Sequence, residues 1–221
     1  MIITRYVKAM HGNREAASDP RYELDLAIDL RDRCNEEELL ELFSRFAGGV
    51  GYIDALMRRI CLRALAKKVG VGVTVGCDVR ISHPETFEIA DRVFIGDQTI
   101  LQGRHDGRFV IGTGTWVGPQ SYFDASDLVI EDFVGWGPGA KVLGAEHTGI
   151  PTDMPIIQTD LEIAPVRIGA GADVGVNAVI LPGVTVGRGS IIGAGAVVTR
   201  DVPDFVKVAG IPAAIIGKRA R

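Results

Sequence analysis

Four histidines, His11, His83, His105 and His147, are the side chains of this sequence best suited to proton transfer near neutral pH. A neutral imidazole can take a proton from a hydroxyl as that hydroxyl attacks an electrophile. His11 lies in the polar N-terminus, His83 precedes Pro84, and His105 sits in the stretch QGRHDGRF. His147 is placed differently: it follows Glu146, and the long segment TGIPTDMPIIQTDLEIAPVR begins directly after it. Spacings of 22 and 42 residues between His83, His105 and His147 supply no close pair for a zinc site, so no metal is expected. Cys34, Cys61 and Cys77 form no CxxC and read as structural thiols.

The elements that hold these groups show themselves as a period. From Val69 an aliphatic residue, often followed by Gly, recurs every six residues: Val69-Gly70, Val75-Gly76, Ile81, then Ile89, Ile95-Gly96, Leu101, and so on to Val198. Above the six lies a period of three hexads. Gly follows the lead residue in 10 of the 12 first and second hexads and in none of the six third hexads, where Ser82, Gln102, Asp124, Leu143, Leu181 and Thr199 stand. The unit is therefore 18 residues long. Three short strands per coil predict a triangular prism with lead residues inside, each strand pairing in parallel with its equivalent in the next coil. About six coils fit between residues 69 and 203.

Insertions enter at or just after third hexads, the longest over 148–167, so one edge of the prism carries all of them. Loops gathered on one face of a solenoid are where binding concentrates. The same hexads place Glu85, His105, Asp127 and Glu146 where small residues are the rule. These groups either are solvated bulges or form an ionisable column beside His147.

Residues 1–68 lack this repeat. Asn35-EEELLELFSRFA reads as a capped amphipathic helix stopped by Gly48-Gly49, and a second helix is expected from Gly51 to Lys68. That second helix carries Arg58, Arg59, Arg63, Lys67 and Lys68, read as a solvated basic face, with contact to an anionic membrane surface as the alternative. The expected division is a helical cap (1–68), a β-helix (69–203) and a C-terminal segment (204–221). Net charge is −4 with no basic excess, which argues against nucleic acid as a partner. The N-terminus has no apolar run of signal-peptide length, so a cytoplasmic protein is expected.

The [LIV]-G-x4 repeats, the run ILPGVTVGRGSIIGAGAVVTRDVP and the closing VAGIPAAIIGKR resemble the hexapeptide-repeat acyltransferases, nearest to the galactoside/maltose O-acetyltransferase branch. The resemblance implies a mainly β fold, a left-handed parallel β-helix with an N-terminal α-helical segment. It implies acetyl-CoA as co-substrate and a homotrimer with the donor groove between subunits. It also implies His147 as general base acting without an acyl-enzyme. Backbone amides at Val176 and Ala194 match the donor-binding positions, with Thr199 and Arg200 near the nucleotide end, where cations favour phosphate. Two arginines common in the C-terminal tail of that branch fall on Ala214 and Gly217, and Lys218 stands next door as a replacement. Asp173 stands where relatives often have Trp. For the acceptor, Asp124 is the leading contact, with Tyr122, His105 and Glu146 beside it. An O-acetyltransferase of a sugar or glycan hydroxyl is the expected activity, and N-acetylation of an amino-sugar nucleotide the alternative.

Overall fold

The computed structural model describes residues 5–9, 18–124 and 126–219. His11 lies outside them. The chain from residue 68 onward winds into a parallel solenoid with three sheet faces. The first face stacks Lys68–Val69, Phe87–Ile89, Arg108–Ile111, Asp127–Ile130, Val166–Ile168 and Thr185–Val186. The second stacks Thr74–Val75, Phe94–Ile95, Trp116–Val117, Gly135–Trp136, Asp173–Val174, Ile191–Ile192 and Val206–Ala209. The third stacks Arg80–Ser82, Ile100–Gln102, Tyr122–Asp124, Lys141–Leu143, Val179–Ile180 and Val197–Val198. Six coils are complete, and Val206–Ala209 opens a seventh before turning back antiparallel through Ala214–Lys218.

The hexad leads line the prism interior. Ile95, Leu101, Ile111, Val117, Phe123, Ile130 and Trp136 are wholly buried, as are the small residues Thr99, Ala140, Ala178 and Ser190 that share the interior with them. Phe87, Phe109, Phe123 and Trp136 form a continuous aromatic stack at centroid separations of 4.8, 6.0 and 4.8 Å. Trp136 is therefore core, and its Nε1–H is satisfied by the Ala140 carbonyl at 3.2 Å. Trp116 points outward on the second face and stacks on Phe94 at 5.8 Å. The glycines after the lead residues answer to close approach between coils: a Cβ on Gly76 would lie 2.6 Å from the Asp97 backbone nitrogen.

Three helices close the N-terminal end: α1 (Arg21–Arg33), α2 (Glu36–Arg45) and α3 (Tyr52–Leu65). Helix α2 has the expected cap, with the Asn35 side chain accepting from Glu38 N and the Glu38 side chain accepting from Asn35 N. Helix α3 stops three residues earlier than expected, because Lys68–Val69 is already the first strand of the solenoid. Leu62 and Leu65 enter the same core as Val73, Val75 and Phe87.

The basic residues of α3 are not a solvated face. Arg58 is buried and donates to the carbonyls of Phe46 and Gly49 (2.7 Å each) and Val75 (3.1 Å). Arg63 is buried too, bonding the Val69 and Gly70 carbonyls and pairing with Asp19. Arg59 pairs with Glu23 of α1, which has no exposed surface. The arginines thus satisfy carbonyls at the open end of the prism and tie α1 to α3. Lys67 and Lys68, just beyond the helix, are exposed, and Lys67 pairs with Glu88 at 3.0 Å. Among the described residues no helix is long and apolar enough to cross a membrane.

Candidate active site

All the inserted segments lie at the edge where the third face turns into the first. Pro84–Thr86 forms a single 3-10 turn after the first coil, and 103–107 makes a short loop after the second. After the fourth, Ala145–His147 and Leu161–Ile163 form an antiparallel arm. The arm's tip folds back through a 3-10 turn at Ile156–Gln158 and delivers Thr159 to His147.

His147 is half-buried, and its Nδ1 lies 2.9 Å from the Thr159 carbonyl oxygen. A carbonyl only accepts, so Nδ1 must carry the proton and the Nε2 lone pair is left free in the neutral ring. Thr159 is itself held by its hydroxyl, which donates to the Ile156 carbonyl at 2.6 Å and accepts from Gly149 N at 3.1 Å. Thr159 was not singled out from the sequence. It carries no motif, and its role comes from a backbone oxygen that any residue owns.

Asp124 lies one coil below the strand leading into His147, where Gly144 N donates to the Asp124 carbonyl at 2.7 Å. Its carboxylate accepts from Gln102 Nε2 at 3.2 Å and from the Tyr122 hydroxyl at 3.4 Å. Burial, and then the Asp124 charge, push the Tyr122 phenol above its ordinary range, so it stays a neutral donor. Gln102, Tyr122 and Asp124 thus form a preset donor–acceptor cluster on the third face. Lys141 follows Tyr122 in register, its ammonium 2.7 Å from the Gly139 carbonyl.

The other candidate contacts spread out. Glu146 is exposed opposite Glu162, while His147 next to it is half-buried. His105 is exposed and packs near His83, ring centroids 6.0 Å apart, with His83 bonded to Glu85 at 3.1 Å. At the same edge, His105 sits two strand spacings, ~10 Å, and His83 three, ~14 Å, from the His147 coil.

Val176 and Ala194 stack in successive coils at the edge between the second and third faces, where Gly195 N donates to the Val176 carbonyl at 2.8 Å. At the start of this edge the Cys77 N–H is capped by Asp97 Oδ1 at 2.8 Å, and Pro119 and Pro138 have no N–H. Val176 and Ala194, both exposed, meet no such carboxylate, and like Asp97 their N–H groups bond to no described residue. Two amides one coil apart with no partner among the described residues can grip an extended polar chain. Thr199 and Arg200 are exposed one coil-end further on, while Lys218 stands opposite Val206 on the second face.

Comparisons with known proteins bear on the fold. A family described as the hexapeptide repeat of succinyl-transferase matches residues 165–200. Galactoside O-acetyltransferase of Escherichia coli is 33% identical over a segment covering 48% of this chain and 62% of that protein. Galactoside acetyltransferase solved with coenzyme A superposes with a TM-score of 0.61 at 20% identity, over 92% of this chain and 86% of that one. AntD, an N-acyltransferase of Bacillus cereus solved with dTDP and 3-hydroxybutyryl-CoA, gives 0.65 at 20% identity, over 74% and 89%. The chain spans about half the length of the curated relatives it matches. The fold is that of the hexapeptide-repeat left-handed β-helix. The chain is thus similar in part of its sequence to galactoside O-acetyltransferase and to the hexapeptide-repeat model, and it shares the fold of the solved acetyltransferases.

Proposed function

We propose that this protein is an acetyl-CoA-dependent O-acetyltransferase that acetylates a hydroxyl of a sugar or glycan, with His147 as general base. The Nδ1 bond from His147 to the Thr159 carbonyl carries the reading, because it turns Nε2 toward the role a base must fill. In the reaction Nε2 takes the acceptor's hydroxyl proton as the oxygen attacks the thioester carbon. The C–S bond then breaks, and the imidazolium returns the proton to the coenzyme A sulfur. Asp124, held by Gln102 and Tyr122, accepts a second hydroxyl and fixes which one faces Nε2. The Val176 and Ala194 amides hold the pantetheine arm, and Thr199, Arg200 and Lys218 serve the nucleotide end. The working unit is a cytoplasmic homotrimer whose donor groove lies between subunits, acting in polysaccharide biosynthesis.

Coenzyme A thiol release, measured with simple glycosides and with amino-sugar nucleotides as acceptors, tests this. Release with glycosides is the expected result. Release with amino-sugar nucleotides alone makes the protein an N-acetyltransferase instead, and no release with either refutes both.

A further inference from the structure

At the N-terminal end of the third face, α2 stands away from the strands and leaves a groove of about 890 Å³. Leu40 and Phe43 of α2 form one wall, Arg80, Ser82 and Ile100 form the floor, and Asp78 lies at the turn below. The wall is fixed in place. Asp78 N donates to the Ala47 carbonyl at 2.8 Å, the Cys77 thiol bonds the Gly49 carbonyl at 3.3 Å, and buried Arg58 gathers the Phe46 and Gly49 carbonyls.

Strand register runs this groove straight into the candidate site. Arg80, Ile100 and Tyr122 are successive partners, and Ser82, Gln102 and Asp124 form the parallel row beside them. Arg80 therefore stands two strand spacings, ~10 Å, from Tyr122 across an apolar floor at Ile100. Its guanidinium is exposed and makes no ion pair or hydrogen bond with any described residue. Asp78 does not neutralise it: the Asp78 carboxylate leans toward Gly48, 3.4 Å from where a Cβ there would sit, and forms no pair with Arg80. An unpaired planar guanidinium at the end of a rigid groove is a receptor for carboxylate or phosphate oxygens.

We propose that this groove is an extended acceptor subsite, taking the unit beyond the acetylated sugar, and that Arg80 binds an anionic substituent on that unit. The proposal rests on the sugar O-acetyltransferase reading and names the acceptor class: a glycoside longer than one residue, carrying a carboxylate or phosphate about two strand spacings from the reacting hydroxyl.

Steady-state kinetics with a neutral disaccharide glycoside, its uronic-acid counterpart and its phosphorylated counterpart test it, using wild type, Arg80→Met and Ile100→Trp. One anionic acceptor should show a KM about tenfold below the neutral one, the scale of a charge-assisted hydrogen bond at an exposed site, and which of the two does so identifies the anion. Arg80→Met should erase that preference while KM for acetyl-CoA stays within about twofold. Ile100→Trp should raise KM for disaccharides more than for a monosaccharide. Equal KM values for neutral and anionic acceptors in wild type, or a preference that survives Arg80→Met, overturn the subsite while leaving the acetyltransferase reading intact. Absence of coenzyme A release with every glycoside overturns that reading and the subsite with it.

Discussion

His147 and Thr159 meet across twelve residues of chain, imidazole Nδ1 2.9 Å from a backbone carbonyl oxygen, and the fold of the inserted arm exists around that contact. The Thr159 hydroxyl is what anchors the carbonyl. Replacing Thr159 by Val keeps the carbonyl and removes both anchoring bonds, each worth ~1 kcal/mol. The expected outcome is a fall in kcat of about three- to thirtyfold with KM for acetyl-CoA unchanged, read by steady-state kinetics. A wild-type kcat would show that the anchor does not position the base.

Asp124→Asn separates charge from shape at the acceptor cluster. The variant should lose at least tenfold in kcat/KM for a glycoside and little in donor affinity. The Tyr122 phenol, raised by burial and by the Asp124 charge, should titrate at lower pH once that charge is gone. Ultraviolet pH titration, with Tyr122→Phe to assign the signal, reads the shift directly.

The first coil depends on buried charge. Glu23, with no exposed surface, faces Arg59 at 2.8 Å and Arg63 at 3.5 Å. Glu23→Ala takes the carboxylate away from Arg59, while Arg63 keeps Asp19 and the Val69 and Gly70 carbonyls, and breaking a buried pair costs up to roughly 3–5 kcal/mol. Urea denaturation should show that loss, and a variant of unchanged midpoint would mean that water or another carboxylate reaches the cluster.

Acid should weaken the solenoid through Glu131. Its carboxyl is held below the ordinary range, first by the Ala170 N–H at 2.9 Å and then by Arg167. A depressed carboxylate stabilises the fold above the unfolded-state pKa and loses that contribution as pH falls through the folded value. The Tm difference between wild type and Glu131→Gln should therefore be present at pH 7 and vanish in the acid range below the ordinary Glu value.

What could be read from the sequence was whatever repeats. Lead residues such as Ile95 and Phe123 recur, so their burial and the three-faced prism followed from spacing alone, as did the single edge that gathers the insertions. Helix α1 escaped because Tyr22, Leu24, Leu26, Ile28 and Leu30 alternate as in a strand. The structure makes them helical through Ala27, Leu56 and Ile60, which pack together, and leaves Tyr22 and Ile28 exposed. The α3 arginines misled for a related reason: periodicity marks which side of a helix is polar, but not that Arg58 and Arg63 meet the bare carbonyls of a solenoid end. At the candidate site, His147 stands out by its position before the longest insertion and Asp124 by the family resemblance, whereas Thr159 and the α2 groove arise from backbone geometry that no side-chain pattern reports.

The proposed chemistry turns on His147 as the base. Steady-state acetyl transfer by His147→Ala, with acetyl-CoA binding followed by calorimetry on the same preparation, tests it most directly. The expected outcome is a kcat lower by about two to four orders of magnitude with donor binding retained. A kcat near wild type in a variant that still binds acetyl-CoA would contradict it.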